Sequence, residues 1–92
     1  MNIIILSHRR SLNKAEGFIK ANKNNNLILV TDAANLDEKF SYLQLISKVY
    51  HIKGFDIVNI TKKIKQCDSI FCVSENLLPI QSQLESYYGI DN

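Results

Sequence analysis

Ser69-Ile70-Phe71-Cys72-Val73-Ser74-Glu75-Asn76 is the stretch whose reading decides the fold. It opens as an apolar run of strand length, and three polar residues follow at once. Beyond them Leu77, Ile80, Gln81, Leu84 and Tyr88 recur at helical spacing and mark one face of a helix. Pro79 is tolerated only in a first turn, so this helix is predicted to begin close to Asn76. Gly89 followed by Ile90 is the pattern of a glycine-capped helix end. A buried strand feeding straight into an amphipathic helix is the repeating unit of an open α/β sheet. In such sheets the carboxyl ends of the strands face the crevice where ligands bind, which puts Ser74 and Glu75 in reach of a ligand.

The same unit recurs upstream. Asn2 to Ser7 is a nearly unbroken isoleucine and leucine run, the mark of a central parallel strand covered on both faces. Ser7-His8-Arg9-Arg10 forms the connection, Ser11 is a credible N-cap, and Leu12, Ala15, Phe18 and Ile19 make the apolar stripe of a first helix. The asparagine-rich run 22–26 ends it, because Asn competes for backbone hydrogen bonds and accepts left-handed turns. Leu27 to Val30 is a second buried strand, stopped by Thr31-Asp32. Residues 33–45 show no clear period, and Tyr42 to Leu45 fits a helix or an extended segment equally. Ile46 to Ile52 alternates as a strand nearer the sheet edge, and Lys53-Gly54 breaks the chain. Ile57, Ile60, Thr61 and Ile64 then line one helix face, with Asp56 in the first turn and Lys62, Lys63 and Lys65 toward the end, as the helix dipole favours. Strands alternating with helices predict right-handed crossovers and a three-layer α/β domain. Its sheet should be mostly parallel, of about four strands, flanked by helices.

The bulk properties suit this reading. Ninety-two residues make one domain, 1–92, with 46% apolar and 22% charged residues, ordinary values for a soluble globular chain. The net charge of +2 is small and the basic residues are scattered without interleaved aromatics, which argues against nucleic acid. The first residues lack a basic stretch and their apolar run is too short for a signal peptide, and no run reaches membrane-spanning length. No membrane partner and a cytoplasmic location are therefore expected. Cys67 and Cys72 are five apart, neither a redox pair nor half of a zinc site, and read as structural thiols.

The first strand-to-helix loop holds the other candidates for chemistry. Arg9 and Arg10 suit phosphate or carboxylate, although two exposed arginines are as well explained by solvation. No Gly-x-Gly-x-x-Gly and no Walker lysine follows the first strand, so neither type of tight nucleotide site is supported. His8 joins no triad that sequence order reveals and reads as a surface histidine, as does His51. Thr31-Asp32 stands where dinucleotide folds place a ribose-binding acid, but without the glycine turn Asp32 serves equally as a cap. Ser74 or Asn76 could be a helix cap, with Glu75 favouring the dipole. No catalytic residue, metal ligand or cofactor site is assigned from these patterns.

The run Asp68 to Asn76, with Leu77-Leu78 and the later Leu84-Glu85-Ser86-Tyr87-Tyr88-Gly89-Ile90, resembles the end of the N-terminal domain of ATP-grasp ligases. That superfamily includes enzymes like biotin carboxylase and carbamoyl-phosphate synthetase. The resemblance is specific over the last quarter of the chain; elsewhere it extends only to the β-α-β order and the Gly54-Phe55-Asp56 entry to a helix. It implies a small Rossmann-like, pre-ATP-grasp domain in the N-terminal part of a longer enzyme. It further implies that Glu75, with Ser74, contacts a small-molecule acceptor, and that Ser7, His8, Arg9 and Arg10 come second. ATP and magnesium are implied for the complete enzyme only, held by the ATP-grasp domains that follow, in cis or on a partner chain. The implied reaction activates a carboxylate as an acyl phosphate, which an amine or similar nucleophile attacks. The competing reading is a stand-alone flavodoxin-like binding or interaction module without catalysis, monomeric or a homodimer of defined stoichiometry.

Overall fold

The isoleucine-rich first strand lies inside the sheet, as a run with no wet face must. In a computed structural model, which describes residues 1–32 and 41–90, β1 (Asn2–Leu6) pairs in parallel with β2 (Asn26–Thr31) on one side and β4 (Ser69–Cys72) on the other. β3 (Lys48–His51) pairs in parallel with β2, which gives a four-stranded sheet of order β3-β2-β1-β4. The protein is a small Rossmann-like α/β domain, with its sheet all parallel and β3 at an edge.

Side-chain alternation along the strands divides the core in two. Ile3, Ile5, Leu27 and Leu29 face Leu12, Ala15 and Ile19 of the segment after β1. Ile4, Leu6, Ile28, Val30 and Ile70 face Ile60 of α2 (Ile57–Lys63) and Leu84 of α3 (Leu78–Tyr88). Helices on opposite faces make the three layers.

The first helix differs from its prediction. Ser11 caps nothing: residues Arg9–Ala15 wind as a 3₁₀ helix entered from His8, and α1 (Glu16–Ala21) is only its continuation. Strand pairing ends at Leu6 rather than Ser7, and the third strand is shorter than 46–52. Ser41–Leu45 is a 3₁₀ helix, while the expectation of an irregular stretch before it falls on 33–40, outside the described residues. Asp56 stands one step before α2, not in its first turn, and its carboxylate accepts from the Val58 N–H at 3.3 Å.

The closing helix is entered through a 3₁₀ turn, Glu75–Leu77, with Pro79 in the first turn of α3. Gly89 ends it in the left-handed region (φ 69°), and the Ile90 N–H donates to the Glu85 carbonyl at 2.9 Å.

Candidate functional site

Chain order reverses across β1. The chain moves outward from β1 to β2 and β3, then crosses to the far side of β1 to form β4. The carboxyl ends of β1 and β4 therefore flank the topological switch point, where open α/β sheets have their ligand crevice. The loop Ser7–Ser11 leaves one side of it and Val73–Asn76 the other, so two segments more than sixty residues apart in sequence share one crevice.

His8 is its centre. Only 22% of its side chain is exposed, so it is not the solvated histidine that the sequence suggests. Its Nδ1 lies 3.1 Å from Asp32 Oδ2, at the end of β2, and its Nε2 lies 3.2 Å from Asn76 Nδ2, beyond β4. With the Asp32 carboxylate accepting from Nδ1–H, Nε2 keeps its lone pair, and the Asn76 amide donates to it. The imidazole thus joins the ends of three neighbouring strands. Phe55 meets the same ring edge-on, with centroids 5.1 Å apart at 85°.

Phe55 is buried and has φ of 53°, a left-handed conformation that costs a bulky residue about 1–3 kcal/mol. Packing within the α2/α3 core cluster holds it there, next to Gly54, whose own positive φ is free of that cost. Local strain is thus spent on placing a ring against His8.

The remaining predicted residues divide by exposure. Ser7 is fully buried, and its hydroxyl donates to the His8 carbonyl at 2.8 Å, so it braces the loop from beneath and offers nothing to the crevice. Arg9 and Arg10 are exposed in the first turn of the 3₁₀ helix. Ser74 is half-buried at the entry to the Glu75–Leu77 turn, but its hydroxyl makes no cap; it lies 3.4 Å from the Ser11 hydroxyl, across the crevice. Glu75 is exposed and joins no described residue by an ion pair. One rim therefore carries cationic side chains and the other a carboxylate. Pairing of Ser11 with Ser74 and of His8 with Asn76 fixes their separation.

Asp32, Asn76 and Ser11 are members that sequence reasoning treated as caps, and Phe55 is one that it noted only at the entry to a helix. The one available signal was Asp32, a carboxylate directly after a buried strand. Its partner stands twenty-four positions earlier, so nothing local connects them.

The cysteines are half-buried and free. Burial pushes both thiols above the usual range, although the Sγ of Cys72 donates to the Ser74 carbonyl at 3.0 Å. Among the described residues no three His, Cys, Asp or Glu side chains gather to hold a metal ion, and the turn after β1 has no glycine. Nor, among the described residues, is any helix long and apolar enough to cross a membrane.

Fold and site together define a small Rossmann-like domain with a polar, histidine-centred crevice at its topological switch point. Compared with known protein families, curated proteins and solved structures, the chain matches none of them.

Proposed function

We propose that this chain is the substrate-side, N-terminal domain of an ATP-grasp-type ligase, acting in the cytoplasm and not catalytic alone. The observation that carries the reading is the meeting of the β1 loop with Ser74-Glu75-Asn76 across one crevice, through His8–Asn76 and Ser11–Ser74. These are the two segments that the resemblance assigns to the acceptor. Two exposed apolar residues, Val58 and Leu78, stand in the first turns of α2 and α3 at the same edge, which suits packing against further domains.

In such ligases a carboxylate oxygen attacks the terminal phosphorus of ATP, giving an acyl phosphate and ADP. An amine then attacks the acyl carbon and inorganic phosphate leaves. Nucleotide and magnesium belong to the partner domains on this reading. This chain completes one wall of the acceptor site: Asp32 orients His8, Arg9 and Arg10 supply positive charge, and Glu75 receives a donor or cationic group of the acceptor.

The test is ADP and phosphate release by the natural full-length polypeptide, with magnesium-ATP and a panel of carboxylates and amines. Release that needs both partners is expected. Glu75→Ala should then raise the acceptor KM by roughly tenfold, the loss of one charge-assisted contact, with the ATP KM unchanged. An exposed position predicts a stability change within about 0.5 kcal/mol. Lost stability with unchanged acceptor KM would assign Glu75 to the helix dipole instead, and no ADP release with any pair would sink the ligase reading.

A further inference from the structure

The opposite, amino edge of the sheet carries a second feature that the ligase reading does not use. An open depression of about 430 Å³ lies where β3, the end of α2 and the connection to β4 converge, within the size range of small-ligand sites. Its floor is apolar: Ile28 and Ile64 are buried there and the Tyr50 ring is half-buried. Lys48, Lys63 and Lys65 line it, and among the described residues no acidic one does. Lys48 Nζ stands 5.6 Å and Lys63 Nζ 5.9 Å from the centroid of the one Tyr50 ring. Asp68, the acid next along the chain, lines a neighbouring depression, and its carboxylate accepts from the Asn2 N–H at 2.8 Å. Among the described residues no ion pair engages the three lysines.

Each lysine has a plain explanation by itself. Lys63 suits the negative end of α2, and Lys48 protects an edge strand from pairing with another chain. Neither accounts for two ammonium groups standing over one ring in a depression that a third lysine also lines, a grouping that gives the depression a positive potential for an anion to meet. Three lysines call for an anion of more than one charge, and lysine, as a point charge, is a regular phosphate binder.

We propose that this depression binds a small phosphate ester, with the phosphate among Lys48, Lys63 and Lys65 and the carbon portion on Tyr50, Ile28 and Ile64. The experiment is lysine acylation of the natural full-length polypeptide, read residue by residue by mass spectrometry, with phenyl phosphate and inorganic phosphate as probes at matched ionic strength. At twice its dissociation constant, phenyl phosphate should slow acylation of these three lysines about threefold by mass action, leaving the exposed Lys14 and Lys23 unchanged. It should do so at lower concentration than inorganic phosphate. The double variant Lys63→Gln/Lys65→Gln should keep its Tm and lose protection at Lys48. Protection that is absent, equal at every lysine, or retained at Lys48 in that variant would overturn the site, and equal potency of the two probes would overturn the ester assignment. Because the readout is local to this edge, its failure and that of the ligase reading are separable.

Discussion

At the carboxyl edge His8 is committed on both ring nitrogens, to Asp32 at 3.1 Å and Asn76 at 3.2 Å, whereas at the amino edge Lys48 and Lys63 stand over one tyrosine ring and, among the described residues, pair with no acid. Polar groups that satisfy one another define positions and directions, as a site that orients a substrate requires. Charges left without partners define only a potential, and an incoming anion completes them. One sheet thus presents a geometry-setting edge and a charge-setting edge, and α3 spans the distance between them. It starts beside the crevice, and its last residue, Tyr88, donates to the Ile64 carbonyl at the far edge, at 2.6 Å.

Cutting that link should have the largest effect. Leu84 is fully buried in the cluster beneath both edges, so Leu84→Ala should cost about 2–5 kcal/mol in urea unfolding and weaken both edges together. Gly89→Ala attacks only the far end of the same helix. A Cβ there meets no atom within 4 Å, so the cost is the left-handed backbone alone, about 1–2 kcal/mol.

The edges themselves separate at smaller magnitudes. His8→Ala should lower stability by about 1 kcal/mol, since it leaves Asp32 and Asn76 without their shared partner. Lys48→Gln combined with Lys63→Gln should change stability by no more than about 0.5 kcal/mol, because both side chains are exposed. Equal losses in the two would erase the contrast.

An effect confined to alkaline pH belongs to the ionisation of Tyr88, whose hydroxyl is pushed up to about 12 chiefly by burial. The folded chain holds that proton more tightly than the unfolded one. Its contribution is therefore fully present below about pH 10, the unfolded value, and is lost as pH rises toward 12. Tyr88→Phe should flatten the stability curve over that window in alkaline denaturation followed by circular dichroism.

How far the sequence could be read varies along the chain for physical reasons. Four strands and the closing helix were legible because burial on two faces, or on one helical stripe, imposes a local pattern on Ile3 to Leu6, Leu27 to Val30 and Leu77 to Tyr88. The 3₁₀ entry at Arg9–Ala15 was not, because Ser11 looks like a cap while its hydroxyl faces Ser74, sixty-three positions away. His8 looked solvated for the same reason: Asp32 and Asn76 are neighbours only in space. Ser7 and Ser74 look alike as serines that end strands, but one is fully buried and the other lies at the crevice.

The sequence alone determined an α/β chain with parallel strands, its helix faces and the loops that follow each strand, because periodic burial is written into neighbouring residues. Only the tertiary structure decided that β4 crosses to the far side of β1, which opens the crevice between two of those loops and gathers His8, Asp32 and Asn76 there. Strand order depends on which edges the whole chain can cover at once, a property that no local stretch encodes.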